Sequence, residues 1–118
     1  MARSSVLVVV LVTCPDEGSA LRIAGELLDG RLAACVNVIS GLRSFFWWEG
    51  KVEEALEALL IIKTRSSLLG ELTRRIRELH PYEVPEVIAL PIVGGSEDYM
   101  EWVKEETKAG KRVEGPGG

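Results

Sequence analysis

The segment His80-Pro81-Tyr82-Glu83-Val84-Pro85-Glu86 places an imidazole, a phenol and two carboxylates within seven residues. Two prolines stiffen it, since each fixes its own φ and drives the residue before it, His80 or Val84, toward extended backbone. Polar groups held this rigidly make a binding surface rather than a catalytic constellation. His80 is the only histidine of the chain, and imidazole is the commonest metal ligand. At a helix C-terminus it serves equally well as a cation near the negative end of the dipole. Both readings stay open.

Other groups able to do chemistry are spread along the chain. Cys14 and Cys35 show no CxxC spacing, and thiolate with imidazole favours copper or zinc over magnesium or calcium. Cys35 reads either as a small buried hydrophobe or as a ligand. Asn37 lies two residues on, and a buried amide needs partners at an interface or in a cleft. Lys63 emerges from the end of a buried strand and calls for a carboxylate such as Glu83 or Glu86, as a structural ion pair or an anion-binding site. One histidine and two separated cysteines do not make a closed structural zinc site. No GxSxG, HExxH or P-loop is present, nor a second histidine for a nucleophile–base pair, so no enzymatic activity is expected. Glu53 and Glu54 sit in a charged strand start and are expected to face solvent.

Composition narrows the class. The chain has 118 residues, 47% hydrophobic and 27% charged, with a net charge of −4, which fits one soluble domain. No dominant basic patch exists, so nucleic acid is not an expected partner. Arg74, Arg75 and Arg77 stand among Glu71 and Glu78 and read as a solvated, ion-paired helix face. Arg3 and the run Val6–Val12 before Cys14 resemble a signal peptide only faintly, because Thr13 and Pro15 suit processing badly. The run reads as a core strand, the thiols as free, and the setting as cytoplasmic, with no membrane association. The lack of Gln and a single Asn, Asn37, beside many charged residues is thermophile-like.

The elements that must position these groups follow from periodicity. Val6–Val12 predicts a strand buried on both faces. Pro15, Asp16 and Glu17 start a helix with Ala20, Ile23, Ala24, Leu27 and Leu28 at helical spacing, and Gly30 closes it. Leu32–Ile39 predicts a second strand with Leu32, Ala34, Val36 and Val38 on one face and Ala33, Cys35, Asn37 and Ile39 on the other. Gly41 bends or bulges it before the aromatic run Phe45–Trp48. Glu49-Gly50 signals a hairpin turn, and Lys51–Thr64 the third strand. A second helix carries Leu68, Leu69, Leu72, Ile76 and Leu79 and ends near His80. Val87–Val93 predicts a fourth strand, placed at an edge by Pro91. Ser96, Glu97 and Asp98 start a third helix bearing Tyr99, Trp102 and Val103.

This β-α-β-β-α-β order plus a terminal helix predicts an α+β, ferredoxin-like sandwich. Residues 1–108 are expected to form one domain and 109–118 a disordered tail. Two main helices cover one sheet face only. The other face is too apolar for water, so self-association is expected, with the aromatic hairpin as an arm and Trp47 and Trp48 as anchors.

Five motifs in order, Leu32-Ala33-Ala34-Cys35-Val36-Asn37, Trp48-Glu49-Gly50-Lys51, Ile61-Ile62-Lys63-Thr64-Arg65, the His80–Glu86 segment and Asp98-Tyr99-x-x-Trp102, carry a resemblance. Over residues 6 to 104 the chain resembles the CutA family of divalent-cation tolerance proteins. The resemblance implies a homotrimer with sheet edges paired between neighbours, a part in copper or other divalent-metal tolerance, and no established enzymatic activity. A trimer would bring donors from different subunits together. The metal set is then His80, Cys35 and Glu86, and the surrounding cleft takes in Asn37, Trp48, Glu49, Lys63, Arg65, Tyr82 and Glu83.

The chain departs from the family pattern in two places. Ala55 and Leu56 stand where acidic residues usually follow Glu54. Where some bacterial members are assigned a strand cysteine and two adjacent histidines as copper ligands, this chain has Val12, with Cys14 two residues on, and Leu79 before His80. A copper site of that kind survives only in altered form. An alternative of another class is a small-molecule sensor or adaptor of the PII type, analogous at fold level only. Lys63, Arg65, Trp48 and Tyr82 would then hold an anionic metabolite.

Overall fold

From Leu7 onward, apolar and mostly β-branched side chains favour extended backbone, and they form β1 (Leu7–Cys14). The structure, a computed structural model, describes residues 6–109. Asp16 caps α1 (Glu17–Asp29) by accepting the Ser19 N–H at 2.7 Å. Gly30 ends that helix with its N–H on the Glu26 carbonyl. Then come β2 (Cys35–Trp48) and β3 (Lys51–Arg65). Their turn has φ of 51° at Glu49 and 81° at Gly50, the two positive values that suit a two-residue hairpin. A 3-10 turn (Ser66–Leu68) leads into α2 (Leu69–Leu79). That helix stops at His80, whose backbone is extended before Pro81, as the proline demands. β4 (Val87–Pro91) and α3 (Glu97–Glu106) complete the chain.

The sheet is antiparallel in the order β2-β3-β1-β4, so Pro91 does lie in an edge strand. Three strands differ in their bounds from expectation by more than one residue, and β1 runs from Leu7 to Cys14 rather than from Val6 to Val12. Leu32–Ala34 are not strand: the Leu32 N–H turns back to the Leu27 carbonyl at 2.9 Å, and Leu32 and Ala33 are both buried instead of alternating. The strand proper starts at Cys35 and runs through the aromatic residues, with a bulge between Ile39 and Leu42 where Gly41 has φ of 82°. β4 stops at Pro91 rather than Val93, because the Ile92 N–H takes the Leu7 carbonyl and β1 begins there. The expected tail lies outside the described residues, apart from Ala109.

Register sorts the side chains into two faces. Val8, Val10, Val12 and Cys14 pair with Thr64, Ile62, Leu60 and Ala58 and are buried with Ile23, Leu27, Leu72 and Ile76 in the main core. On the opposite face stand Val9, Leu11, Ile61, Cys35, Asn37, Ile39, Ile88 and Leu90. α3 packs over only one end of it, where Leu7 and Val103 are buried. Elsewhere the face is open: Ile39, Ile88 and Leu90 are 47%, 50% and 51% exposed.

Candidate functional site

The end of α2 delivers His80 into a pocket of backbone. The ring is 7% exposed. Its Nε2–H donates to the Thr13 carbonyl at 2.7 Å, and its Nδ1 accepts the Tyr82 N–H at 3.0 Å. A carbonyl can only accept and an amide can only donate, so these partners select one neutral tautomer and leave neither ring nitrogen free. Tyr82 stacks at a tilt, 5.0 Å between ring centroids, and its hydroxyl donates to Glu57 Oε2 at 3.1 Å. Burial first, then the Glu57 hydrogen bond, raises the Tyr82 phenol above its ordinary range. Thr13 Oγ1 reaches Glu86 Oε1 at 3.4 Å. Beside it, burial and then the charges of Asp16 and Glu57 push the Cys14 thiol up to about 11. Glu83 is exposed.

A second group occupies the open face under α3. Lys63 bonds to Asn37 Oδ1 and lies 3.7 Å from Cys35 Sγ. Cys35 in turn donates weakly to Asn37 Oδ1 at 3.9 Å. The Tyr99 phenol is raised by burial and by the hydrogen bond it shares with Cys35, and its ring lies 5.5 Å from that of Trp102. The carboxylate expected beside Lys63 is not there, since Glu86 is engaged by Thr13 at the other end of β1. Arg65 is spent on α3: Nη2 donates to the Lys104 carbonyl at 2.6 Å and Nε to Thr107 Oγ1 at 3.0 Å.

The sequence-predicted residues therefore divide in three. His80, Tyr82 and Glu86 gather around Thr13, with Glu83 in the same loop. Cys35, Asn37 and Lys63 form the second group, with Arg65 nearby. Trp48 and Glu49 stand at the exposed hairpin tip. Cys35 pairs with Lys63 and Lys63 with Val9, four residues before Thr13. That is about 13 Å along the strand and about 10 Å across two strand spacings. Within one chain His80 and Cys35 do not share an ion. Among the described residues no three His, Cys, Asp or Glu side chains form a group able to hold one.

Three residues outside the predicted set take part. Thr13 anchors both His80 and Glu86. Tyr99 closes the Cys35 group. Glu57, almost fully buried, receives Tyr82. A carboxylate inside the apolar run Ala55–Leu60 was the available signal for Glu57, because a buried charge needs a partner.

Comparison with known proteins gives a consistent answer. Residues 8–106 match the family described as CutA1 divalent ion tolerance protein. The rice (Oryza sativa subsp. japonica) protein CutA 1, chloroplastic, is 52% identical over 101 residues, which cover 86% of this chain and 57% of that protein. The divalent-cation tolerance protein CutA of Thermus thermophilus is 48% identical over 99 residues, 84% of this chain and 96% of its own. The chain thus spans little more than half of the plant relative and nearly all of the bacterial one. The crystal structure of CutA1 from Oryza sativa matches with a TM-score of 0.86 at 50% identity, over 89% of this chain and 96% of that one. The α+β architecture of four antiparallel strands and three helices is the one found in those structures. No helix of the described residues is long and apolar enough to cross a membrane.

Proposed function

Because the chain belongs to the CutA1 divalent ion tolerance protein family, we propose that it serves divalent-cation tolerance, copper foremost, as a non-enzymatic homotrimer binding metal weakly in the clefts between subunits. The observation that carries this reading is the open sheet face. Ile39, Ile88 and Leu90 are half-exposed there, and Phe45, Trp47 and Trp48 stand out on the arm beyond it. An apolar surface of this extent favours burial against further copies, at about 25 cal/mol per Å² removed from water.

A metal site would draw donors from more than one copy, since the described residues of one chain hold no sufficient group. The donors we assign are His80, Glu86 and Cys35, whose nitrogen and sulfur favour copper or zinc. His80 accounts for the weakness of binding: an ion at Nδ1 has to displace the Tyr82 N–H, and one at Nε2 has to break the Thr13 bond. The sole imidazole is committed to backbone on both ring nitrogens, which leaves it unavailable as the base of a nucleophile–histidine pair and supports a non-enzymatic role. The free thiols Cys14 and Cys35 support a reducing, cytoplasmic setting.

Native mass spectrometry with and without added copper tests both halves. A trimer taking up one or three coppers supports the proposal. A monomer mass sinks the assembly, and a ragged copper distribution sinks the specific site. If His80→Ala binds copper as tightly as the parent, His80 is not a ligand.

A second reading, a PII-like small-molecule sensor or adaptor trimer, is favoured by one observation. Lys63 bonds to Asn37 and Cys35 and has no carboxylate partner among the described residues.

A further inference from the structure

We propose that Cys35 and Lys63 form a reversible covalent bridge, an S–N bond between Sγ and Nζ that closes when a peroxide oxidises the thiol. This goes beyond metal tolerance and does not rest on it, since no metal takes part. The two residues are direct partners in the register of β2 and β3. Their side chains therefore leave the same face of the sheet, with Cβ atoms about 5 Å apart. Nζ lies 3.7 Å from Sγ, and a turn of the four-carbon lysine stem covers the remaining gap.

The pair, rather than the thiol alone, makes the site. Asn37 Oδ1 accepts a hydrogen bond from each of the two heads and so gathers them on one oxygen. No carboxylate among the described residues draws the Lys63 ammonium away. Cys35 is half-buried and within reach of a small oxidant, whereas Cys14 is fully buried. A partly exposed thiol beside a cation is the setting in which cysteines oxidise first.

The chemistry runs in two steps. Hydrogen peroxide transfers one oxygen to Sγ: its O–O bond breaks, the thiol becomes a sulfenic acid and one water leaves. Sulfenic acids condense with thiols and with nitrogen. Lys63, its ammonium proton given to solvent, attacks Sγ with the Nζ lone pair; the S–OH bond breaks, nitrogen gives up a proton and a second water leaves. Sulfur loses two electrons and the peroxide gains them. A small thiol opens the bridge by attacking Sγ and freeing the amine, and a second thiol then restores Cys35 and leaves with the first as a disulfide. Holding the amine beside the sulfur raises its effective concentration. It therefore outruns the further peroxide that carries a sulfenic acid to the irreversible sulfinic acid.

The full chain treated with hydrogen peroxide in a chelator-containing buffer tests this, read by mass spectrometry of tryptic peptides. Cys14→Ala serves as the background, so that Cys35 is the only thiol. The expected product joins residues 32–43 to residues 52–65, with cleavage after Lys63 lost. It weighs two hydrogens less than the separate peptides, carries no added oxygen, and disappears on treatment with dithiothreitol. Lys63→Arg keeps the cation but offers no nucleophilic amine, and the same dose should leave Cys35 as sulfenic acid trapped by dimedone, or as sulfinic acid. Lys63→Gln gives the same result should Lys63→Arg disturb the site. Cys35 sulfinic acid or a disulfide between copies as the main product of the Lys63 chain overturns the proposal. So does normal cleavage after Lys63, or a joined product that retains an oxygen atom. The same loss of two hydrogens in a folded Lys63 variant places the bond on another nitrogen and overturns it as well.

Discussion

The imidazole of His80 is fastened to the carbonyl oxygen of Thr13, Nε2 to oxygen, at 2.7 Å, across 67 residues of sequence. The bond ties the C-terminal cap of α2 to the end of β1. With the Tyr82 N–H on the opposite nitrogen, it fixes where the His80–Glu86 segment leaves the helix. The prolines stiffen that segment, but the sheet positions it.

His80→Ala should therefore act on stability before it acts on any ligand. It strands the Thr13 carbonyl and the Tyr82 N–H in a mostly buried place, at a cost of about 1–3 kcal/mol. His80→Gln, able to restore one of the two bonds, should recover part of the loss. Urea denaturation measures both, and an unchanged midpoint for His80→Ala would show that the bond contributes nothing net.

Arg65→Lys should loosen α3 while leaving the main core alone. Arg65 spans the Lys104 carbonyl and Thr107 Oγ1 with two nitrogens of one planar group, which a lysine cannot reproduce. The cation also sits at the negative end of α3, where it is favoured. Hydrogen exchange should quicken in residues 97–106 and stay at parent rates in α1 and α2. Equal protection of α3 in both proteins would remove Arg65 as its tether.

Local chemistry explains why much of this fold was legible in the sequence. Pro15, Asp16 and Glu17 as a helix start, Glu49-Gly50 as a turn, His80 before Pro81 as a helix end and Pro91 in an edge strand each depend on neighbours in sequence. Leu32–Ala34 misled because alternation suggests a strand, while the chain there folds back on α1 and buries two successive side chains. The partition of the candidate site was not legible for a different reason. Whether Lys63 meets Glu86 or Cys35 is decided by strand register, which sets Lys63 opposite Cys35 and Val9. Thr13 holds Glu86 at the far end of β1, and nothing in the spacing of these residues announces that distance.

Cys14 should give stability a measurable alkaline slope. Its thiol is held up to about 11, above its ordinary value of 9.0, by burial first and then by the charges of Asp16 and Glu57. In the unfolded chain the thiol ionises at lower pH than in the folded one. Between these values the folded state binds more protons, so stability falls as pH rises. The contribution is fully present below about pH 9 and is lost as pH climbs through about 11. Denaturation of the parent and of Cys14→Ala from pH 8 to 11.5 isolates it, because the tyrosines titrate in both. Parallel pH profiles would refute the assignment. In the same range Cys35, half-buried on the open face, should react with iodoacetamide well before Cys14.

The arm offers the sharpest separation of folding from assembly. Trp47 is 74% exposed, and the cross-strand neighbours of Trp47 and Trp48 are Val52 and Lys51 on the same exposed hairpin. Neither indole contributes to the main core. Replacing both by serine should therefore leave the stability of a single chain within about 0.5 kcal/mol of the parent. Buried tryptophans at the centre of an interface each contribute about 2 kcal/mol or more. If the arm is what grips a neighbouring copy, the double variant should dissociate at protein concentrations where the parent stays associated. Sedimentation velocity over a dilution series reads this directly. Identical sedimentation of the two proteins at every dilution would move the anchoring surface from the arm to the half-open face around Ile39, Ile88 and Leu90, where Leu90→Glu is the substitution expected to break it.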